Sequence, residues 1–193
     1  MASGRVVTDQ EKANVITRIC AGLVAMNVER VLVMPEPVGL ARLANEHHGN
    51  ALKIEYIDMP QSSTGAHTTI AAAELSGANV DCIITLGGDG TNRVVAKGSG
   101  KVPLVAISTG TNNVFPEMIE GTLAGLAAGA LSVGRVSREE VCTQAKRLEI
   151  FVDGELREIA LIDAAVSSEM FAGARAIWNL KTISEIFLTR AET

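Results

Sequence analysis

Three glycines grouped around one aspartate form the feature of this sequence that most directly suggests chemistry. The motif Gly87-Gly88-Asp89-Gly90-Thr91-Asn92 follows the apolar segment NVDCIITL. Glycines permit a tight turn and a close approach of the backbone to a ligand, and the main-chain N–H groups of such a turn and of the helix behind it suit a phosphate. The Asp89 carboxylate would repel that phosphate. Its presence is explained if it binds a metal ion or takes part in a proton transfer. The alternative is a tight strand-to-helix turn with Asp89 as a helix cap.

A second polar loop follows the next apolar segment, KVPLVAI. It reads Ser108-Thr109-Gly110-Thr111-Asn112-Asn113, and its hydroxyl and amide groups can bond ribose hydroxyls, an adenine edge or phosphate oxygens. Open α/β sheets bind ligands at the carboxyl ends of their strands, so we expect both loops to line one crevice. The alternative is an Asx-rich loop that caps a helix starting at Pro116.

One glycine-rich segment is excluded as a phosphate loop of the P-loop type. Gly98-Ser99-Gly100-Lys101 ends as such a loop does, but Val95 stands where the earlier glycine belongs and Val102 where Ser or Thr belongs. We interpret this segment as a surface turn.

The elements that must position the two loops alternate between helix and strand. Thr8 and Glu11 form a capping box that predicts the start of the first helix. The alternation predicts an α/β fold, a three-layer α/β/α sandwich around a parallel sheet. Helices are expected over 9–26, 38–48, 64–76, 92–98 and 116–131, and strands over 28–34, 51–59, 79–86 and 102–107.

The pattern changes after Ser137. Two long apolar runs, Cys142–Val152 and Glu155–Val166, flank Asp153-Gly154, which predicts a β-hairpin. A helix is expected over Ala172–Thr189. We therefore expect a nucleotide-binding α/β domain at 1–138 and an incomplete second domain at 139–193.

Composition limits the classes of function. The chain has 193 residues, of which 47% are hydrophobic and 20% charged, with a net charge of −5. This excludes wholesale disorder and makes nucleic acid or an anionic membrane surface an unexpected main partner, and no apolar run is long enough to span a bilayer. Three scattered cysteines, Cys20, Cys82 and Cys142, are expected to be reduced core thiols of a cytoplasmic protein.

The two loops together resemble those of the ATP–NAD kinase superfamily, which also includes the diacylglycerol and sphingosine kinases. The resemblance rests on GGDGT after a buried strand, followed about twenty residues later by STGTNNVFP. The stretch from Cys82 to Leu131 is most similar to the acetoin catabolism protein X (AcoX-type) branch, and the likeness covers most of residues 9–170.

This resemblance implies transfer of the γ-phosphoryl group of ATP, with Mg²⁺, to a hydroxyl such as the 2′-OH of NAD. It implies that Asp89 assists deprotonation of the acceptor hydroxyl, and no metal-ligating residue is predicted. The other residues of both motifs are the predicted cofactor-binding set: Gly87, Gly88, Gly90, Thr91, Asn92, Thr109, Gly110, Thr111, Asn112 and Asn113.

Two functions stay open at this point. The intact Asp89 favours a kinase-like phosphotransferase that acts on NAD or another hydroxyl acceptor. Compared with the superfamily, the chain is expected to be shortened at both ends, which favours a catalytically inactive nucleotide-binding regulatory module. NAD kinase-like proteins typically self-associate through their second half, so a homo-oligomer is expected.

Overall fold

The structure, a computed structural model, describes residues 8–60 and 64–164. The chain divides between Gln144 and Ala145 into two compact units, which are described separately below. The elements of the first unit are α1 (Asp9–Ala25), β1 (Arg30–Val33), α2 (Leu40–Glu46), β2 (Lys53–Tyr56), α3 (Gly65–Gly77), β3 (Ile83–Gly87), α4 (Asp89–Gly98), β4 (Leu104–Ser108), α5 (Gly121–Ser132) and α6 (Arg138–Val141).

Threonine side chains cap the first turns of α1 and α3. At α1, the Glu11 N–H donates to Thr8 Oγ1 at 3.2 Å, and the Thr8 N–H donates to the Glu11 carboxylate at 2.9 Å. This confirms the predicted capping box, which satisfies main-chain groups that have no partner inside the helix. Thr64 caps α3 in a similar way, through the His67 N–H.

The strands pair in parallel, which confirms the predicted α/β class. β1 pairs with β2, and β3 pairs with β4. Side chains alternate across each strand. Ile84 and Leu86 therefore pack into the apolar core formed with α1 and α5, whereas Ile83 packs on the other side against Ala72 of α3 and Val95 of α4.

The expected sheet is present as two separate parallel pairs. Among the described residues, no ladder of hydrogen bonds joins β1 to β3. Instead, a cavity of about 590 Å³ lies between these two strands.

Glycines let α1 and α5 approach each other unusually closely. A Cβ at Gly125 would overlap the main-chain oxygen of Ile19, and a Cβ at Gly22 would overlap that of Thr122. The small residues Ala124 and Ala128 are buried in the same contact. Because α5 is the helix that follows β4, this contact fixes one side of the chain around the second polar loop.

The second unit contains a β-hairpin. β5 (Leu148–Val152) pairs antiparallel with β6 (Glu155–Ala160). Asp153 and Gly154 join them with φ of 52° and 80°, the left-handed pair that a two-residue type I′ turn requires. The predicted hairpin is confirmed with shorter strands, and the predicted helix Ala172–Thr189 lies outside the described residues.

The three cysteines differ in their surroundings. Cys20 is buried, Cys82 is half-buried and Cys142 is exposed. The prediction of a core thiol is therefore wrong for Cys142, which follows α6 at the surface. Burial raises the pKa of Cys20 and of Cys82 to about 11, with the nearby Asp81 carboxylate as a further cause for Cys82. Within 8–60 and 64–164, no helix has the length and apolar character needed to cross a membrane.

Candidate functional site

The two polar loops leave the sheet side by side. In the parallel register of β3 and β4, Gly87 stands opposite Ser108. Because both strands end at the same edge, the residues that follow them come together there. The structure thus brings together the two loops that the sequence suggested would share a site.

The glycine-rich motif forms the start of a helix. α4 begins at Asp89, three residues earlier than predicted, with Gly88 as its N-cap. The close contact between Thr91 and the end of β3 requires glycine at position 87, because a Cβ at Gly87 would stand 2.5 Å from the Cβ of Thr91. The Asn92 N–H then donates to the Gly88 carbonyl at 3.1 Å and closes the first turn.

Asn113 joins the second loop to the start of α4. Its Oδ1 accepts from the Asp89 N–H at 3.3 Å, and its Nδ2 donates to Ser108 Oγ at 2.8 Å and to the Gly110 carbonyl at 3.4 Å. A Cβ at Gly88 would stand 2.5 Å from Asn113 Oδ1. Gly88 is therefore needed for the approach of the Asn113 side chain.

The Asp89 carboxylate makes the reciprocal contact. Its Oδ1 accepts from the Phe115 N–H at 2.8 Å and from the Val114 N–H at 3.1 Å, and its Oδ2 is 3.2 Å from the same Val114 nitrogen. Asp89 is thus not the cap of its own helix, contrary to the alternative considered above. We call the contacts between Asp89 and residues 113–115 the loop bridge.

Asn92 has an internal role. It is 0% exposed, its Oδ1 accepts from the Thr85 hydroxyl at 2.7 Å, and its Nδ2 donates to the Gly88 carbonyl at 3.0 Å. A fully buried side chain whose amide oxygen and amide nitrogen are both hydrogen-bonded inside the protein cannot contact a ligand. The predicted cofactor contact of the Asn92 side chain is therefore corrected to a contact that holds β3 and α4 together.

Several predicted site residues do present accessible atoms. Gly90, Thr111 and Asn112 are exposed, and Thr91, Thr109 and Gly110 are half-buried. A Cβ at Gly90 would meet no atom within 4 Å, so the space beside the first turn of α4 is open. Gly88 makes no side-chain cap, and the positive end of the helix faces this space.

The chain after the second loop is extended, which the sequence did not indicate. Glu117 pairs with β4: the Ser108 N–H donates to the Glu117 carbonyl at 2.7 Å, and the Glu117 N–H donates to the Ala106 carbonyl at 3.0 Å. The helix predicted from Pro116 therefore begins only at Gly121.

Glu120 caps α5 with its carboxylate, which accepts from the Thr122 and Leu123 N–H groups at 2.7 and 3.1 Å. Partial desolvation would raise the pKa of Glu120, but the bonds from Leu123 and Thr122 outweigh it and lower the pKa. The alternative interpretation of the second polar loop, an Asx-rich loop that caps a helix at Pro116, is wrong, because the cap of α5 is Glu120.

The described residues offer no protein cage for a metal ion. Over 8–60 and 64–164, no three His, Cys, Asp or Glu side chains cluster as metal ligands. Magnesium commonly binds through substrate phosphates and water with few protein ligands.

Comparisons with known proteins agree with this geometry. Residues 7–136 match the ATP-NAD kinase N-terminal domain family, and residues 146–193 match the acetoin catabolism protein X C-terminal domain. The chain is 38% identical to acetoin catabolism protein X of Cupriavidus necator, in an alignment that covers 94% of this chain and 54% of that protein. It thus spans about half the length of this curated relative.

No solved structure gives a significant match to the chain. The family match at 7–136 includes α1 to α5 and both polar loops. On this match, the chain belongs to the ATP-NAD kinase N-terminal domain family.

Proposed function

We propose that the first unit binds ATP at the carboxyl edge of β3 and β4 and transfers its γ-phosphoryl group to a hydroxyl. The observation that carries this proposal is the loop bridge, which holds an aspartate carboxylate 2.8 Å from the Phe115 N–H, between two loops of phosphate- and ribose-binding composition. Phosphoryl transfer requires mainly positioning and charge neutralisation, with a proton acceptor near the attacking oxygen.

The phosphates would lie over the first turn of α4. The N–H groups of Gly90 and Thr91 belong to the positive end of this helix, where anions are stabilised. Thr109, Thr111 and Asn112 would supply hydroxyl and amide groups to the ribose or the base. A bound Mg²⁺ would neutralise charge on the phosphate oxygens.

Asp89 would accept the proton of the attacking hydroxyl. Its Oδ1 carries the shortest main-chain bond, whereas its Oδ2 accepts only the longer contact from Val114. A carboxylate oxygen has two acceptor positions, so Oδ2 retains capacity for a hydroxyl donor. The same bridge that positions this carboxylate therefore leaves it one acceptor position toward a substrate.

The loop bridge also supports a second candidate, nucleotide binding without turnover. A carboxylate held by two main-chain N–H groups has a sufficient structural reason to be present, because it ties the second loop to α4. In that case Asp89 shapes the site and takes no proton.

The acceptor and the setting of the reaction are part of the proposal. The name of the family suggests NAD as the acceptor, and the likeness to acetoin catabolism protein X suggests a link to acetoin catabolism. Another small hydroxyl compound is the alternative acceptor. Self-association and a cytoplasmic location stay predictions, and light scattering tests the first of them.

The deciding experiment incubates the protein with ATP, Mg²⁺ and NAD and measures NADP and ADP. Asp89→Asn preserves the shape of the side chain and should lower turnover by about 10²-fold or more, the usual scale for loss of a general base. Asp153→Asn is the matched control, because the left-handed turn position of Asp153 accepts asparagine.

Binding of a fluorescent ATP analogue, measured in parallel, separates the two candidates. ATP binding with no ADP formation from NAD or a panel of small alcohols favours the regulatory module. Absence of ATP binding contradicts both candidates.

A further inference from the structure

The hydroxyl of Ser108, the last residue of β4, bonds the polar loop that follows it. It donates to the Gly110 carbonyl at 2.7 Å and accepts from the Asn113 amide nitrogen, Nδ2, at 2.8 Å, with a longer contact from the Gly110 N–H at 3.4 Å. The Ser108 N–H donates to the Glu117 carbonyl at 2.7 Å, and the residue is only 8% exposed. Ser108 is therefore fixed through both its main chain and its side chain, and it offers little surface to a ligand.

This hydroxyl determines which way the Asn113 amide faces. A serine hydroxyl has one proton to donate and two acceptor positions. The Gly110 carbonyl can only accept, so the proton of Ser108 points to it, and the group that Asn113 turns toward Ser108 must be a donor. Nδ2 meets this requirement and also lies 3.4 Å from the Gly110 carbonyl. With the amide reversed, Oδ1 would face the Gly110 oxygen and the acceptor positions of Ser108.

The other end of the Asn113 amide meets a donor. Asp89 is the first residue of α4, where main-chain N–H groups have no partner inside the helix, and Gly88 provides no side-chain cap. Asn113 Oδ1 accepts the Asp89 N–H at 3.3 Å. A reversed amide would place Nδ2 against this N–H, two donors without an acceptor. The bonds at both ends of Asn113 thus require the same orientation of its amide.

A series of hydrogen bonds therefore leads from Ser108 to the Asp89 carboxylate. Asn113 holds the main chain of Asp89, and the Asp89 carboxylate accepts from the Phe115 and Val114 N–H groups at 2.8 and 3.1 Å. Because residues 113–115 are consecutive, the position of Asn113 also determines where these two N–H groups lie. Ser108 thus supports both partners of the loop bridge, although its own hydroxyl bonds the second loop.

We propose that Ser108 is a positioning residue of the site: its hydroxyl fixes the Asn113 amide and, through it, holds the Asp89 carboxylate in the loop bridge. The consequence for turnover rests on the proposed function, in which Asp89 accepts the proton of the attacking hydroxyl. The structural part concerns hydrogen bonds and can be measured without any substrate. Ser108 is not among the residues proposed above to bind phosphate or ribose, so its loss should change kcat rather than the KM for ATP.

Amide hydrogen exchange of the full chain tests the structural part. Ser108→Ala leaves Asn113 Nδ2 with only one longer contact, at 3.4 Å. Exchange at Asp89, Val114 and Phe115 should therefore become about three- to tenfold faster, the effect of losing one hydrogen bond. Exchange within the β3–β4 ladder should not change, because that ladder does not involve the Ser108 hydroxyl.

Two further variants distinguish this effect from general loosening. Ser99→Ala is the matched control, because Ser99 is a buried serine at the other end of α4, and it should leave exchange at the loop bridge unchanged. Asn113→Ala should speed the same exchange, and Ser108→Ala should add nothing in that background, since both residues act through one amide. The proposal is overturned by unchanged exchange in Ser108→Ala, by equal acceleration in Ser99→Ala, or by a full additional effect in the double variant.

Kinetics test the consequence for turnover. With ATP, Mg²⁺ and NAD, Ser108→Ala should lower kcat by about tenfold to 10²-fold, the scale of a small misplacement of a reacting group, and leave the KM for ATP nearly unchanged. In an Asp89→Asn background the same substitution should cost no further kcat, because residues that act as a unit are not additive. Undiminished kcat, or an equal loss in both backgrounds, overturns the role in turnover. Absence of turnover in the wild type contradicts the proposed phosphotransferase instead, and the exchange result then decides the role of Ser108.

Discussion

The main-chain N–H of Phe115 donates to the carboxylate of Asp89 at 2.8 Å, so the first residue of α4 holds the chain that leaves β4. Asn113 completes this link from the opposite direction through the Asp89 N–H. A substitution in either loop should therefore alter the hydrogen bonds of the other loop.

Gly88→Ala should break the loop bridge. The added methyl group would stand 2.5 Å from Asn113 Oδ1, and Asn113 is held by Ser108 and Gly110 and cannot easily retreat. We expect faster amide exchange at Val114 and Phe115 and weaker binding of the fluorescent ATP analogue. Gly90→Ala is the informative comparison, because its methyl group meets no protein atom.

The Gly90→Ala protein should keep normal exchange at Val114 and Phe115 and lose affinity only if phosphate lies against the first turn of α4. Unchanged exchange in Gly88→Ala would contradict the coupling between the two loops.

Asn92→Ala should destabilise the first unit without any direct effect on ligand contacts. The substitution removes a buried amide and leaves the Thr85 hydroxyl without the Asn92 oxygen that it bonds at 2.7 Å. Loss of such a partner costs about 1–3 kcal/mol. Urea unfolding measures the change, and the exposed Asn112→Ala should stay within about 0.5 kcal/mol of the wild type. An equal effect of both substitutions would contradict the structural role of Asn92.

Local patterns predicted the elements of the first unit, but pairing between distant segments decided the details of the site. The capping box at Thr8 lies within one turn of chain and was readable directly. The early start of α4 was not, because it depends on packing of Thr91 over Gly87 and on the bond between Asn92 and Thr85 of β3. Three glycines in four positions predicted a tight turn with a close approach to a ligand, whereas in the structure Gly87 and Gly88 allow the close approach of Thr91 and Asn113.

The other differences have the same origin. Proline is common at the first position of a helix, which favoured a helix from Pro116. Pairing of Glu117 with the edge of β4 keeps that segment extended. Alternation of helices and strands indicated a parallel sheet, but it contains no information on which strand edges meet, so the cavity between β1 and β3 could not be foreseen.

Gly125→Ala should separate α1 from α5. The added methyl group would overlap the Ile19 carbonyl, a main-chain atom that can move only if the helix moves. Such overpacking typically costs about 1–3 kcal/mol, occasionally more.

Gly77→Ala is the matched control on α3, since its methyl group meets nothing within 4 Å. That change should stabilise the protein by about 0.5–1 kcal/mol, because alanine favours the helix. Thermal unfolding of both variants should therefore shift in opposite directions.

The thiols of Cys20, which is buried, and Cys82, which is half-buried, should make stability fall at alkaline pH. Burial raises the pKa of Cys20 and Cys82 from 9.0 to about 11, so the folded state retains protons that the unfolded state has already lost. The contribution is fully present below pH 9 and is lost as the pH rises toward 11, because the unfolded state then binds fewer protons.

Urea unfolding at pH 8, 9 and 10 measures the slope of the free energy of unfolding against pH. Cys20→Ala should reduce this slope even though it lowers stability at every pH. Alkylation at pH 8 should modify Cys142 first, and rapid modification of Cys20 in the folded protein would contradict its burial.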